Sequence, residues 1–229
     1  MRVVRPLVIA AVATLSIAVA GAPALADPED VHVLTTGSLA GPAVAVGDVL
    51  TAAVAEGTTA DFFTAAGGST GIRCAQSAFT STVVDNPVAP GVATESTTDH
   101  TFASCTANIF GVTRVNSVTV NNTPFATTVD SAGVVTVSGT ETAPIKTTLS
   151  LGTILGSVTC VYTSVNLSIT GAVSNEDNSI SFAEQPFAKS SGPITCPSSG
   201  FFTARYAPVL DTTAEGTPIV FTNLEPETE

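Results

Sequence analysis

Runs of β-branched and aromatic residues, interrupted at short intervals by Gly, Pro, Asn and Asp, occupy almost all of this 229-residue chain. Val, Ile, Thr, Phe and Tyr pack well on a pleated surface, and the interrupting residues are those that form tight turns. No segment shows a sustained 3.6-residue apolar period, and the best helix candidate, TADFFTAAGG at 59–68, is short and contains two glycines. The chain is therefore predicted to be all-β, a sandwich or barrel.

Individual strands are predicted at 117–120, 133–138, 158–170, 180–182 and 201–210. In the last of them apolar Phe202 and Tyr206 alternate with Thr203 and Arg205, so one face can be buried and the other hydrated. In the stretch 158–170 the apolar residues stand at even positions up to Tyr162 and at odd positions from Val165. A bulge at 163–164 would produce this change of phase, and the alternative is two strands joined by a turn.

A similar change of phase occurs earlier in the chain. In GIRCAQSAFTSTV the apolar Ile72 and Cys74 are at even positions, whereas Phe79 and Val83 are at odd positions. A long strand with such a change can turn a corner between two sheets. Both stretches are therefore predicted to be bulged strands that help to close the structure.

Two decapeptides, CTANIFGVTR from Cys105 and CPSSGFFTAR from Cys196, repeat a cysteine, a phenylalanine and an arginine at an offset of 91. Cys74 matches Cys160 at an offset of 86, and loops tolerate such length changes. Chance matching in a chain rich in Val, Thr, Ala and Gly is the alternative. We predict an internal duplication, with a lead-in at 27–38, β repeats at 39–130 and 131–221, and an acidic tail at 222–229.

The two predicted repeats are joined too closely to move as separate beads. Only a short, ordinary segment lies between them, so the halves should pack directly against each other. The run 133–138 can pair at once with the preceding arm 125–129. We therefore expect one β unit rather than two independent domains.

Four cysteines stand in the chain, at Cys74, Cys105, Cys160 and Cys196. A duplicated ancestor with two cysteines would pair within each repeat, giving Cys74 with Cys105 and Cys160 with Cys196, although three connectivities are possible. A metal site needs closely spaced Cys and His ligands, and no C-x2-C occurs. No metal or other cofactor is expected.

The first 26 residues have the pattern of a cleaved signal peptide. A short basic start precedes the apolar run 7–20, and Ala24-Leu25-Ala26 fits an A-x-A cleavage site. A transmembrane anchor is the alternative, but about 14 apolar residues are fewer than the roughly 20 that a bilayer span needs. We expect a secreted, disulfide-bonded protein whose mature chain has no membrane span.

The charge of the mature chain excludes some partners. Cleavage would remove two of the seven basic residues and none of the 19 acidic ones, so the net charge becomes 5 − 19 = −14. Nucleic acids are disfavoured because Lys and Arg supply most of the affinity for phosphates. The same net charge disfavours anionic membrane surfaces.

Candidate catalytic and binding residues are few. Gly67 to Gly71 fits G-x-S-x-G around Ser69, but it leads straight into a predicted strand, and the two histidines are His32 and His100. Asp99 precedes His100 directly and would point to the opposite face of a strand, so it is poorly placed to orient the imidazole. We expect a glycine turn here, and no hydrolase activity that depends on Ser69.

Other polar groups have structural interpretations. The polar run 175–178 could offer oxygen ligands to calcium but lacks the spacing of a defined loop, so a hairpin turn is predicted. Arg114 and Arg205 recur in the repeats and are expected to share a structural role on the solvent face, beside a carboxylate.

The signal peptide, the four cysteines and the richness in Ala, Thr, Val and Gly resemble uncharacterised secreted proteins of high-GC actinobacteria, which implies secretion and no known activity. The chain is also distantly similar to the apoproteins of enediyne chromoproteins, which are exported Ig-like sandwiches that bind a hydrophobic ligand in a cleft. Those apoproteins have one domain of about half this length, so no site residue is carried over.

The function expected from the sequence is that of a secreted, non-catalytic interaction or structural protein with an extracellular or envelope partner. The alternative is a carrier of small molecules with an apolar cleft between the repeats, which would need several hundred Å³. A hydrolase is the less favoured third possibility.

Overall fold

A computed structural model describes residues 30–225, and every regular element in this range is a β-strand. The strands are β1 (Leu34–Thr36), β2 (Val49–Ala53), β3 (Ala60–Phe63), β4 (Gly71–Asp85), β5 (Val92–Ala107), β6 (Val112–Asn121), β7 (Phe125–Asp130), β8 (Val134–Ser138), β9 (Lys146–Thr153), β10 (Gly156–Ser164), β11 (Ser168–Ser174), β12 (Ser179–Ser191), β13 (Ser199–Tyr206), β14 (Leu210–Asp211) and β15 (Val220–Thr222). The all-β prediction is confirmed, and the helix candidate at 59–68 instead forms β3 and a turn. Among the described residues, no helix has the length and apolar character needed to cross a bilayer.

Eight antiparallel strands close into a barrel in the order β3, β4, β5, β7, β8, β11, β12, β13. The pairing of β11 with β12 and that of β13 with β3 complete the ring. Beyond the ring, β10 pairs with the second half of β12, and β9 and β6 follow outward from it. The interior is filled by Val, Ile, Leu, Phe and Tyr side chains from most of these strands.

Strand β4 changes its partner along its length on one side. Its first residues pair with β3 of the ring and its later residues with β2, which lies outside the ring. Its buried side chains are Ile72 and Cys74 near one end and Ser77, Ser81 and Val83 toward the other. The predicted change of buried face within a single strand is therefore correct for this segment.

The bulged strand predicted at 158–170 is wrong. Strand β10 ends at Ser164 and β11 begins at Ser168, and the intervening turn includes Leu167 with a φ of 57°. The alternative of two strands joined by a short turn is what the chain forms, but both strands run antiparallel to β12, so the chain keeps its direction. The apolar phase changes across the interruption at 165–167, where Val165 is exposed.

Pairing across the predicted repeat boundary is confirmed. Strands β7 and β8 form a hairpin in which Ala126 lies opposite Ser138 and Val129 opposite Val135. Strands from both segments therefore share one sheet, which follows from the short connection between them.

Two disulfides join Cys74 to Cys105 and Cys160 to Cys196, the pairing favoured by the sequence. Cys74 and Cys105 lie opposite each other on β4 and β5. Cys160 lies on β10, whereas Cys196 lies in the loop before β13, with β11 and β12 between them in the chain. This strand order does not show the predicted duplication.

Both ends of the described chain are held by one small sheet. Strand β1 pairs with β15, with Leu34 opposite Thr222, so the lead-in and the start of the predicted tail contact each other. The predicted signal peptide at 1–26 lies outside the described residues, as do positions 27–29 and 226–229.

Candidate functional site

The strand register brings four turns to one end of the molecule. Phe63 lies opposite Gly71, Ile72 opposite Ala107, and Ala188 opposite Ser199, so the turns 64–70, 108–111 and 192–198 lie at this end. The turn 154–155 between β9 and β10 joins them because Val112 lies opposite Thr153. We call this the tip end.

Four large apolar side chains project from three of these turns. Phe110 is fully exposed, and Ile154, Leu155 and Ile194 are 82%, 95% and 96% exposed. Single exposed apolar residues are ordinary, but a group at one end of a molecule marks a contact surface or an aggregation hazard. We call these four residues the tip surface.

Local turn chemistry explains why the chain reverses at these points, but it does not explain the apolar side chains. In the turn between β9 and β10 the Thr153 hydroxyl donates to the Gly156 carbonyl and accepts from the Leu155 amide. Gly111 and Gly156 take positive φ angles of 80° and 120°, which favour glycine. Polar residues are usual at the remaining turn positions, so exposed Phe110 and Leu155 serve no evident purpose in folding.

The tip-end turns contain no charged residue. The segments 64–70, 108–111, 154–155 and 192–198 read TAAGGST, NIFG, IL and GPITCPS. Charged residues are 11% of the chain, so uncharged segments of this length are common in it. The tip end is therefore apolar and neutral, although the chain as a whole is acidic.

Three basic side chains stand just behind the tips. The Arg73 guanidinium lies over the Phe63 ring, 5.1 Å from its centre, and its Nε is 3.9 Å from an Asp61 carboxylate oxygen. Lys189 donates to the carbonyl oxygens of Pro193 and Cys196 at 3.4 and 3.2 Å. These contacts hold two cations close to the turns.

The third cation, Arg114, donates from Nε to the Asn116 side-chain oxygen at 2.8 Å. The nearby carboxylates are Asp61 beside Arg73 and Glu184, whose side chain accepts from the Gly67 amide. Positive and negative groups are therefore nearly balanced directly behind the tips, with a small excess of positive charge.

Most other carboxylates lie at the opposite end. They occupy the turns between β4 and β5, β7 and β8, and β11 and β12, and the segments around β14 and the chain ends. The acidic residues at that end are Asp30, Asp48, Asp85, Asp130, Glu176, Asp177, Asp211, Glu215 and Glu225. The fold thus separates an acidic end from the neutral, apolar tip end.

A second candidate region is a cavity of about 80 Å³ inside the barrel. Its walls are mainly Phe, Val and Ile side chains from both predicted repeats. His100 and Tyr206 also face it, with the His100 Nε2 2.6 Å from the Tyr206 hydroxyl, which is 2.8 Å from the Ser77 hydroxyl. The polar groups on this wall are paired with one another.

Burial in the barrel changes the acid–base behaviour of its ionisable groups. It lowers the pKa of His100 to about 4, so the imidazole is neutral at pH 7. Burial raises the pKa of Glu95, against the opposing effect of a hydrogen bond with Ser81. Phe102 packs on the His100 ring with centroids 4.5 Å apart, which helps to keep bulk water from the imidazole.

The stability of the fold should decrease in mild acid because of His100. Its folded pKa is below the unfolded value of about 6.5, so the unfolded chain binds the proton first as the pH falls. The stability from neutral His100 is complete above about pH 6.5 and is lost as the pH falls towards 4, at most about 1.4 kcal/mol per unit. Urea unfolding of wild type and His100→Gln across this range measures the effect.

The variant supplies the control for other titrating groups. The raised pKa of Glu95 acts in the opposite direction, because it favours the folded state at low pH, but it is present in both proteins. The difference between them isolates His100. Equal losses of stability in the two proteins would contradict the role assigned to the buried imidazole.

The other candidate residues lie in different parts of the fold. Ser69 is exposed in the turn before β4, where the Asn108 side-chain amide donates to its carbonyl oxygen. The His32 Nδ1 lies at hydrogen-bond distance from the Asn86 carbonyl oxygen, and His100 contacts Ser77 and Tyr206 as described above. The structure therefore does not bring Ser69 and either histidine together.

The run 175–178 is the predicted hairpin turn, between β11 and β12. Asn175 and Asn178 donate to backbone carbonyls of β15. Asp177 forms an ion pair with Arg205, as expected for that arginine, whereas Arg114 contacts an asparagine, so the two arginines do not share one role. Within residues 30–225, no group of three or more His, Cys, Asp or Glu could hold a metal ion.

Comparisons with known proteins found no family model, no curated protein and no solved structure that matches this chain. Function must therefore be argued from the described residues themselves. The tip surface was not predicted from the sequence, although the apolar residues within the turn sequences NIFG, TILG and GPIT were a usable signal.

Proposed function

We propose that this protein is a secreted, non-catalytic extracellular module that contacts an envelope partner through the tip surface. The observation that carries the proposal is the group of four exposed apolar side chains on turns without charged residues. Removing such side chains from water is the main favourable term in most associations. The two disulfides are consistent with an oxidising compartment.

The test is binding of the purified, labelled protein to washed envelope fragments of the producing cell. The double variant Phe110→Ser/Leu155→Ser should bind roughly tenfold or more weakly, because burial of each large apolar side chain contributes about 1.5–3 kcal/mol and tenfold is about 1.4 kcal/mol. The matched control is Val46→Ser, since Val46 is 66% exposed but lies at the acidic end. Equal binding by all three proteins would refute the proposal.

The carrier alternative receives less support. Carrier pockets for drug-sized molecules usually reach several hundred Å³, and the interior cavity has about 80 Å³. Two of its polar side chains, His100 and Tyr206, are hydrogen-bonded to each other rather than free to orient a ligand. We therefore place the carrier second, and a hydrolase depending on Ser69 third.

We retain internal duplication as a proposal about the origin of the chain. The recurring Cys, Phe and Arg at an offset of 91 support it. Cys74 and Cys105 lie on consecutive strands, whereas β11 and β12 lie between Cys160 and Cys196 in the chain. The proposal therefore requires a rearrangement of strands after the duplication. Discovery of a related chain with one cysteine pair and about half this length would test it.

A further inference from the structure

We propose that the partner of the tip surface is the interfacial region of a lipid bilayer, into which Phe110, Ile154, Leu155 and Ile194 insert. This inference rests on the proposed function, because it names the partner of the same surface. It concerns docking at the surface, with the strands remaining outside the hydrocarbon region.

The distribution of the apolar side chains favours a lipid surface over a folded protein. They project from three separate turns, and each is almost fully exposed rather than part of a flat apolar face. A protein partner would need separate pockets to receive them, whereas the headgroup and acyl boundary accepts apolar side chains in any arrangement. Interfacial segments bury their apolar side chains about 5–10 Å deep. The three turns that carry these side chains contain no ionised residue, and the Glu184 carboxylate contacts the fourth turn at Gly67.

Two of the basic residues stand near the depth of the lipid phosphates when the tips are inserted. Arg73 is two residues behind Gly71, and Arg114 is three residues from Gly111, so at about 3.3 Å per residue they lie roughly 7–10 Å behind these turn positions. Lys189 lies opposite Tyr162, seven residues from Leu155, and so stands roughly 23 Å behind that tip. Lys and Arg near a membrane surface are attracted by anionic headgroups. Charge complementarity therefore supports the orientation in which the tips enter first.

The negative charge of the whole chain does not oppose this orientation. The acidic turns lie at the far end of β4, and 15 extended residues cover roughly 45 Å. The Debye length is about 8 Å at physiological ionic strength, so those carboxylates are screened from the bilayer. The net charge of the whole chain predicts repulsion from anionic membranes. In the fold, most carboxylates lie at the end opposite the tips. Behind the tips, Asp61 and Glu184 offset part of the positive charge, so the attraction to anionic lipid is modest.

Flotation with lipid vesicles tests the proposal on the full mature chain. The probes are phosphatidylcholine vesicles and phosphatidylcholine vesicles with roughly one-third phosphatidylglycerol. Wild type should float with both, and more strongly with the second because of the basic residues. Phe110→Ser/Leu155→Ser should bind roughly tenfold or more weakly to both, whereas Val46→Ser should bind like wild type. Circular dichroism of each variant verifies the fold.

A second variant separates the charge contribution from the apolar one. Arg73→Gln/Arg114→Gln should reduce binding several-fold to the anionic vesicles and leave binding to pure phosphatidylcholine unchanged. Loss of binding to both kinds of vesicle by this variant would overturn the assigned depth of the cations.

Negative binding results separate the identity of the partner from the contact role of the tip surface. Binding to envelope fragments that depends on the tips, without binding to either vesicle, would overturn the lipid partner and leave the contact function standing. Absence of tip-dependent binding to both would overturn both proposals. Concentration-dependent dimerisation that the Phe110→Ser/Leu155→Ser variant abolishes, without vesicle binding, would assign the surface to a second copy of this chain.

Discussion

A chain that ends at residue 130 is expected not to fold. It would keep β2 to β7 but lose β8, β11, β12 and β13, which complete the eight-stranded ring. The aromatic side chains of Phe182, Phe202 and Tyr206, which pack together and with His100, would also be missing. The half-chain would expose unpaired strand edges and an apolar face, so aggregation should accompany the loss of structure.

Thermal unfolding followed by near-ultraviolet circular dichroism measures this result. A chain from Asp27, the predicted mature start, to Glu229 is the control and should show one cooperative transition. The half-chain should show none. A soluble half-chain with its own cooperative transition would mean that the two segments are independent domains, contrary to their shared sheet.

Removal of either disulfide is expected to cost about 3–4 kcal/mol of unfolding free energy in the chain-entropy model. The cystines close loops with sequence separations of 31 and 36, so the two losses should be similar. Because total stabilities are about 5–15 kcal/mol, each loss is a large share. Urea unfolding of Cys74→Ala/Cys105→Ala and Cys160→Ala/Cys196→Ala measures the two losses.

The two double variants should differ in local dynamics. Cys74 and Cys105 lie on strands that stay paired by their ladder, but Cys196 attaches the irregular loop 192–198 to β10. Hydrogen exchange in this loop should therefore increase only when Cys160 and Cys196 are replaced. Equal exchange in the two variants would show that backbone contacts alone hold the loop that carries Ile194.

The sequence was sufficient where local pattern and short connections decide the structure. The alternation in β13 correctly assigned Phe202 and Tyr206 to the core and Arg205 to the surface. The short segment before Gly133 led to the correct pairing of β7 with β8. Both features depend on residues that are neighbours in the chain.

The sequence was insufficient where apolar residues lie in turns or where distant strands meet. Val165 and Leu167 look like strand residues, yet the strand is interrupted there and Leu167 adopts a left-handed conformation. His100 and Tyr206 meet across 106 positions, which no local pattern indicates. The tip surface likewise depends on the pairing of β6 with β9 and on the disulfide at Cys196.

The contact role of the tip surface can be measured directly because the chain contains no tryptophan. Phe110→Trp places a single fluorophore at the tip end, and Val46→Trp places one at the acidic end as the matched control. On addition of envelope fragments, Phe110→Trp should show a blue-shifted emission and protection from a water-soluble quencher, while Val46→Trp should show neither. Unchanged emission from Phe110→Trp, or the same change from both proteins, would contradict the assignment of the tip end as the contact surface.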